Sequence, residues 1–231
     1  MSNTAIVTGG SEGLGKAVAA ALIARTWTVL IDGRDRERVE AAAAATGAVG
    51  VPGDVNDPDH RTSLVEQARR RGGLDLLVNN ASSLGATPLP LLAGYPLDGL
   101  RRVLETNVIA PLALIQTALP LLRKRAGAVV NVTSDAAVQG YEGWGGYGAS
   151  KAALEQLSLV LSEEETGIAV WWVDPGDMRT RMHQAAFPGE DISDRPAPET
   201  VAPAVLELLA RRPPSGRIVL ADLMLQTAGA G

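Results

Sequence analysis

Two side chains four residues apart, Tyr147 and Lys151, could together carry out proton transfer. They lie in a stretch with helical periodicity, so both project from one face of a helix. A phenol titrates near pH ~10 and is a poor acid–base group at neutral pH, but a neighbouring ammonium favours the phenolate. Lowering the phenol pKa by two to three units requires roughly 3–4 kcal/mol. The pair predicts a tyrosine acid–base group, although the spacing alone would favour a surface pair without chemistry.

A glycine-rich turn, TGGSEGLG at residues 8–15, lies between an apolar run and a helical segment. Glycines permit a tight turn and let backbone N–H groups approach a pyrophosphate, and the helix N-terminus adds a favourable dipole. Gly15 would let the helix pack closely on the preceding strand. Glycine also occurs in ordinary loops between strands and helices, so it is the position of the turn at the start of an alternating chain that predicts nucleotide binding.

The composition of the 231 residues excludes several classes of site. There is no cysteine, which excludes disulfides, thiolate nucleophiles, Fe–S clusters and cysteine-bound zinc. The two histidines, His60 and His183, are too few and too far apart to suggest a metal site, so no metal is expected. The net charge of −5 disfavours a nucleic acid partner.

The chain also has no feature that predicts a membrane or secreted protein. Its N-terminus, MSNTAIVTGG, lacks the basic and apolar regions of a signal peptide. No apolar run approaches the ~18 residues of a transmembrane helix. We therefore expect a cytoplasmic protein.

Short apolar runs alternate with longer segments of helical period, which is typical of repeated βα units and a mostly parallel sheet. The candidate strands are Thr4–Thr8, Thr28–Asp32, Ala48–Val51, Leu74–Val78, Ala128–Thr133, Ile168–Val173 and Arg217–Leu220. The candidate helices are Leu14–Arg25, Arg36–Thr46, Pro58–Arg71, Leu97–Arg125, Gly148–Glu165 and Pro198–Arg211. The pattern predicts one α/β domain over residues 1–231, a doubly wound parallel sheet of about seven strands flanked by helices.

Two irregular segments, Ser82–Pro96 and Arg179–Ala197, each follow a predicted strand. In an open α/β sheet, ligands bind beyond the carboxyl ends of the strands. Both segments are therefore predicted to wall a substrate pocket. Residues 179–197 are long for a structureless loop, which favours a substrate-binding lid.

Further motifs follow the turn in order. They are Asp54-Val55, Asn79-Asn80-Ala81 with Ser82 next, Asn107, Ser134, Tyr147-x-x-x-Lys151, and Pro175-Gly176 with Thr180. Together with a turn of TGxxxGxG spacing, this set resembles the short-chain dehydrogenase/reductase family over about residues 4–220. Ser82 departs from the family's Asn-Asn-Ala-Gly pattern. The resemblance implies a Rossmann-type fold and an NAD(P)-dependent oxidoreductase.

The resemblance also implies a role for each of four residues. Tyr147 would pass a proton to or from the substrate oxygen while hydride moves between the nicotinamide and the carbonyl carbon. Ser134 would hydrogen-bond and orient that oxygen. Lys151 would bind the ribose hydroxyls and favour the tyrosinate, and Asn107 would position a water that links Lys151 to solvent.

The cofactor site implied by the family pattern runs along the whole chain. It comprises Gly9, Ser11, Glu12, Gly13, Leu14, Gly15, Gly33, Arg34, Asp54, Val55, Asn80, Ala81, Tyr147, Lys151, Pro175, Gly176 and Thr180. In this alignment, Asp54 and Val55 lie against the adenine.

The end of the second predicted strand bears on the choice between NADP and NAD. A 2′-hydroxyl is bound by a carboxylate there, and a 2′-phosphate by an arginine. The alignment puts Gly33 at the discriminating position and Arg34 next to it, which favours NADP (NADPH). NAD stays the alternative, because a shift of one residue would make Asp32 the selecting acid. Glu12 also occupies a position that is often basic in NADP-using members.

Aromatic and lid residues are the candidates for substrate contact. Tyr141 and Trp144 precede Tyr147 in a glycine-rich loop, and they either form a flat substrate surface or pack the loop onto the sheet. Met182, His183 and Phe187 lie in the lid segment and could close over a ligand. We expect His183 to be a solvent-exposed loop residue and not a second acid–base group.

The leading hypothesis is an NADPH-dependent ketoreductase, or the reverse alcohol dehydrogenase, for a small to medium hydrophobic substrate, aromatic or polyketide-like. The alternatives are an isomerase, dehydratase or cyclase of the same family, and a non-catalytic NADP-sensing regulator. The chain lacks the Asp-Gly-Gly ending of tetrameric relatives, which argues against a tetramer. By analogy we expect a homodimer through the helices that contain Asn107 and Tyr147.

Overall fold

The computed structural model describes residues 2–223, which form a seven-stranded parallel sheet flanked by helices. The strands are β1 Thr4–Val7, β2 Thr28–Gly33, β3 Val49–Pro52, β4 Leu76–Asn79, β5 Ala128–Val132, β6 Ala169–Asp174 and β7 Gly216–Val219. Their order is β3-β2-β1-β4-β5-β6-β7. The predicted α/β, Rossmann-type sheet is confirmed.

The helices connect successive strands on both faces of the sheet. They are α1 Gly13–Ile23, α2 Arg36–Thr46, α3 Pro58–Arg70, α4 Leu97–Leu104, α5 Ala110–Arg125, α6 Gly145–Glu164, α7 Arg181–Ala186 and α8 Pro198–Arg211. The sequence pattern did not predict α7, which lies inside the irregular segment 179–197. Six residues are too few for a helical period to show.

Alternate residues of each strand face opposite helical layers, because successive side chains of a strand point to opposite faces. Val7 and Ile31 pack with α1, α2 and α8 in one core cluster, and Ile6 and Leu30 pack with α3 and α5 in the other. Burial on both faces explains why the strands read as continuous apolar runs.

The chain reverses its direction of winding between β1 and β4, which are neighbours in the sheet. Loops from the carboxyl ends of β1 and β4 therefore diverge and leave a crevice, the usual ligand position in an open α/β sheet. A cleft of about 1400 Å³ lies there, lined by residues that follow β1, β2, β3, β4, β5 and β6.

Helices α4 and α5 are joined by a π-helical turn, Glu105–Ile109, into one continuous helix from Leu97 to Arg125. By length and composition alone this helix could cross a membrane, and 44% of its most apolar window is buried. Leu114 and Leu122 belong to the same buried cluster as Leu64 of α3. Its apolar side is therefore the inner face of a core helix.

Candidate functional site

The glycine-rich turn forms a tight cradle between β1 and α1. Gly9 has a φ of 63°, a left-handed conformation that favours glycine. A Cβ on Gly15 would lie 2.5 Å from the carbonyl oxygen of Gly9, so only glycine fits there. The N-cap residue of α1, Glu12, makes no side-chain capping bond to the first turn of the helix. Those N–H groups therefore face the cleft as an anion site, and the turn fits a pyrophosphate.

The segment after β4 fixes the position of this turn. The Asn80 side-chain amide donates to the carbonyl oxygens of Thr8 (2.9 Å) and Gly9 (3.2 Å). The Thr8 hydroxyl oxygen accepts from the main-chain N–H groups of Asn80 and Ala81, both at 3.0 Å. Asn80 and Ala81 also line the cleft, so they support the turn and bound the same cavity.

Most of the residues implied for cofactor binding come together on the cleft wall. Those on the wall are Gly9, Ser11, Glu12, Gly13, Leu14, Gly33, Arg34, Asp54, Val55, Asn80, Ala81, Tyr147, Lys151, Pro175, Gly176 and Thr180. Gly15 lies behind the turn, against Gly9 and Asn80, where its lack of a side chain allows close packing.

At the end of β2, the structure distinguishes Asp32 from Arg34, the two candidates for selecting NAD or NADP. The Asp32 side chain is 1% exposed, and its oxygens accept from Gly9 N (2.7 Å) and lie 3.1 Å from His60 Nε2. Arg34 is exposed on the cleft wall and makes no ion pair within residues 2–223. The guanidinium of Arg34 is therefore accessible at this position, and the carboxylate of Asp32 is not.

A second arginine, Arg38, lies on the same part of the wall and was not singled out from the sequence. Its guanidinium pairs with Asp35 (3.1 Å) and with Glu12 of the turn (3.5 Å). Arg34 and Arg38 are four residues apart across the start of α2. That spacing, one helical turn, is the signal that could have identified Arg38.

Tyr147 lies in the first turns of α6 with its side chain largely buried. Burial raises the pKa of its phenol, and the negative charges of Asp174 and Asp135 raise it further, while the neighbouring hydroxyls of Ser134 and Ser82 act in the opposite sense. A phenolate at this position therefore depends on positive charge supplied nearby.

Lys151 provides such a charge one helical turn later. Its ammonium lies 5.5 Å from the centroid of the Tyr147 ring and donates to the carbonyl oxygen of Val132 at 2.7 Å. The residue is 2% exposed, and burial lowers its pKa to about 8. The spacing that predicted a shared helical face therefore brings Tyr147 and Lys151 together at the cleft.

Ser134 follows β5 and lines the cleft with Tyr147. Its hydroxyl donates to Asp135 Oδ1 at 2.9 Å and accepts from Ala136 N at 3.2 Å. The hydroxyl can therefore rotate to donate to an oxygen in the cleft without losing its bond from Ala136.

Asn107 lies in the π-helical turn and is 1% exposed, behind the cleft wall. Its amide donates to Ser83 O and to Ser150 Oγ, both at 2.9 Å, and its oxygen accepts from Ser83 N at 2.8 Å. Asn107 thereby joins the segment after β4 to α6, the helix that carries Tyr147 and Lys151.

A small apolar cluster surrounds the phenol of Tyr147 on the substrate side. Its buried members are Leu84, Ala136, Tyr147 and Ala186, with Leu89, Trp144, Met182 and Phe187 packed against them. The ring centroids of Trp144 and Tyr147 are 5.6 Å apart, and those of Trp144 and Phe187 are 5.8 Å apart. Residues of the segment 179–197 thus contact the region around the candidate catalytic tyrosine.

The other aromatic candidates differ in position. Tyr141 is 43% exposed and does not line the cleft; its hydroxyl, with one proton, lies within hydrogen-bond distance of Asp135 Oδ2 (2.8 Å) and Gln139 Oε1 (2.7 Å). Phe187 packs behind Trp144, while Met182 and His183 line the cleft.

The expectation that His183 is solvent-exposed is wrong. Its side chain is only 9% exposed, and its ring lies 4.9 Å from that of Phe187 because α7 turns it inward.

The sequence analysis missed several acidic residues of the cleft wall, and three of them, Asp135, Asp174 and Asp177, follow or end β5 and β6. Arg217 of β7 pairs with Asp174 at 2.9 Å and with Glu155 of α6 at 3.0 Å. Asp174 ends β6, directly before Pro175-Gly176, and its place at a strand carboxyl end was the available signal.

Comparison with known proteins finds relatives in sequence and in fold. The profile of the short chain dehydrogenase family matches residues 3–191. Serine 3-dehydrogenase of Agrobacterium fabrum is 37% identical over 189 residues, 79% of this chain and 74% of that protein. A rhamnolipid biosynthesis 3-oxoacyl-[acyl-carrier-protein] reductase of Pseudomonas aeruginosa is 37% identical over 193 residues, 77% of this chain and 73% of that protein.

Among solved structures, a short chain dehydrogenase of Shigella flexneri complexed with NADP superposes with a TM-score of 0.86 and 29% identity. The match covers 95% of this chain and 97% of that one. A short chain dehydrogenase of Escherichia coli complexed with NADPH has a TM-score of 0.85 and 29% identity, and the match covers 94% of this chain and 96% of that one.

Proposed function

The chain belongs to the short-chain dehydrogenase/reductase family, an NAD(P)-dependent oxidoreductase family acting on CH–OH and C=O groups, and on that premise we propose an NADPH-dependent ketoreductase. In reverse it would act as an alcohol dehydrogenase. The observation that carries this proposal is the pairing of Tyr147 with Lys151 in a cleft that also contains the glycine-rich turn and Ser134.

The chain's own residues supply the proton chemistry. In reduction, the Tyr147 hydroxyl gives its proton to the carbonyl oxygen, and the Ser134 hydroxyl donates a hydrogen bond to the same oxygen. Lys151 stabilises the phenolate that remains, which its low exposure makes effective. When bound, NADPH supplies the hydride. In oxidation the same proton moves back from the alcohol to Tyr147.

The preference for NADPH is supported by the end of β2. Gly33 lines the cleft, and the free guanidinium of Arg34 next to it suits a phosphate, which arginine binds through two parallel hydrogen bonds. The buried, fully engaged carboxylate of Asp32 argues against an NAD-selecting role. The NADP and NADPH complexes of the Shigella and Escherichia coli neighbours agree with this preference.

A small to medium hydrophobic substrate is supported by the apolar cluster around Tyr147. Residues 179–197 are proposed as a lid, since Met182 of α7 lines the cleft and Ala186 is buried in the cluster. Aromatic or polyketide-like carbonyl compounds suit the ring of Trp144, which lines the cleft and is backed by Phe187.

The proposal also covers the domain organisation, the cellular compartment and the oligomeric state of the protein. We take the chain as one cofactor-binding domain that acts in the cytoplasm. A homodimer through α5 and α6 is supported by apolar side chains on the outer face of α6, where Leu159 and Val160 are each 44% exposed. Nothing in the charge balance suits a nucleic acid.

The experiment is a screen of ketones, quinones and aromatic carbonyls with wild-type protein, followed by loss of NADPH absorbance. For the best substrate, Tyr147→Phe should lower kcat/KM by about 100-fold or more, the usual contribution of a positioned acid–base group. The matched control is Tyr95→Phe, which removes a buried hydroxyl that has no hydrogen-bond partner among the described residues. Full turnover by Tyr147→Phe would refute the mechanism. Product formation without net NADPH consumption would favour an isomerase, dehydratase or cyclase.

A further inference from the structure

A buried carboxylate–imidazole pair lies behind the adenosine end of the cleft. Asp32 Oδ2 is 3.1 Å from His60 Nε2, and the two side chains are 1% and 7% exposed. The other carboxylate oxygen accepts from Gly9 N at 2.7 Å, and the Asp32 carbonyl accepts from Gly10 N at 3.0 Å. Both the side chain and the main chain of Asp32 therefore bind the phosphate-binding turn.

His60 connects this contact to a third segment of the site. It lies in α3 and packs so closely on Gly53 that a Cβ at that position would be 2.1 Å from His60 Nδ1. The main-chain N–H of Gly53 donates to Gly33 O at 2.9 Å, and the next residue, Asp54, lines the cleft. The pair thus joins the turn, the end of β2 and the segment after β3.

A carboxylate in such a place is stable only when its oxygens are hydrogen-bonded. Burial raises the pKa of Asp32, while the bonds from His60 and Gly9 oppose that shift. The N–H of Gly9, the residue with positive φ at the start of the turn, donates to Asp32 Oδ1. Loss of the carboxylate would remove the acceptor of this partly buried N–H and free the first residue of the cradle.

We propose that Asp32 and His60 are positioning residues of the cofactor site, which hold the phosphate-binding turn against β2 and the adenine-side segment. They act on NADPH and NADH alike, because the Asp32 oxygens are engaged by Gly9 and His60 and both side chains support the part of the site that the two cofactors share. This inference rests on the proposed cofactor site and goes beyond it, since it assigns the geometry of that site to two nearly buried side chains.

The experiment measures Kd for NADPH and for NADH separately, by quenching of tryptophan fluorescence, since Trp144 lines the cleft. Asp32→Ala and His60→Ala should each weaken both cofactors by a similar factor, about 10-fold or more for Asp32→Ala, as expected for one lost buried hydrogen bond. Asp32→Asn should stay within about 3-fold of wild type, because the amide oxygen still accepts from Gly9 N. His60→Gln should also retain affinity, since its amide can donate to Asp32.

The matched control is Asp59→Ala, which removes an exposed carboxylate next to His60 in α3 and should leave both Kd values unchanged. Weakening confined to NADH in the Asp32 variants would overturn the proposal and identify Asp32 as the group that binds the 2′-hydroxyl. Unchanged affinities in a folded Asp32→Ala protein would overturn it as well. If the alanine variants do not fold, a loss of affinity in Asp32→Asn comparable to that expected for alanine would refute it. Wild-type protein that binds both cofactors but reduces no carbonyl would contradict the ketoreductase proposal alone.

Discussion

The electrostatic role of Lys151 is tested most directly by Lys151→Met, which keeps much of the length of the side chain and removes its charge. The ammonium is 2% exposed and lies 5.5 Å from the centroid of the Tyr147 ring. Because Lys151 and Tyr147 are 2% and 8% exposed, solvent screens their interaction less than it screens a surface pair.

The expected effect follows from that distance. With the 5.5 Å from the ammonium to the ring centroid taken as the separation from a phenolate charge shared by the ring and its oxygen, two unit charges interact by ~3 kcal/mol at an effective dielectric of about 20. This energy equals ~2 pKa units of the phenol. Alcohol oxidation needs the phenolate as base, so below the tyrosine pKa its rate should fall by about 100-fold in Lys151→Met.

The direction of the pH dependence follows from the lowered pKa of Lys151. Burial lowers the pKa of Lys151 to about 8, so its charge is fully present below that pH and is lost as the pH rises through it. The difference between wild type and Lys151→Met should therefore be largest at neutral pH and should shrink above pH 8.

The assay is the pH profile of kcat/KM for alcohol oxidation, with Kd for the cofactor measured on the same proteins to separate the binding of ribose from the chemistry. Lys124→Met, on α5, is the matched control and should leave the profile unchanged. Parallel profiles, in which the variant loses activity by the same factor at every pH, would refute the electrostatic reasoning and leave only a loss of binding or packing.

Two further predictions concern cofactor and substrate. Arg34→Ala should raise the KM for NADPH by about 10-fold or more and hardly change the KM for NADH. The control Arg36→Ala loses only an exposed pair with Glu40 and should change neither KM. Equal effects of Arg34→Ala on both cofactors would refute the phosphate assignment. Trp144→Ala should raise the KM for a hydrophobic ketone by about 10-fold, because it removes a large apolar surface beside Tyr147. An unchanged KM across substrates of different size would show that Trp144 only packs its loop.

The strands, the turn and the catalytic helix could be predicted because each depends on residues close in sequence. Periodicity of apolar residues identified seven strands within one or two residues of their ends, and a helix over Arg36–Thr46 with the observed bounds. The glycine-rich turn needs positive φ at Gly9, and the i, i+4 spacing of Tyr147 and Lys151 determines that they share a face. These constraints act between residues that are close in the chain, so they can be inferred from a single sequence.

The alternatives that stayed open concern residues far apart in the chain. The sequence favoured Arg34 but left Asp32 as an alternative two residues away, and only the packing of α3 places His60 against Asp32, 28 residues earlier. The sequence alone predicts an exposed loop position for His183, and only the formation of α7 brings its ring against that of Phe187. Tyr141 and Trp144 are three residues apart in one loop, yet one faces solvent and the other the cleft.

The sequence by itself therefore determined the type of sheet, the family and the candidate residues for the proton chemistry, since period, spacing and glycine content act over a few residues. The tertiary structure alone decided which carboxylates are available and which aromatic rings face the cleft. The physical reason is that burial and hydrogen-bond partners are set by contacts between distant segments. The pair Asp32–His60 and the link from Arg217 to Asp174 both join elements that no local pattern connects.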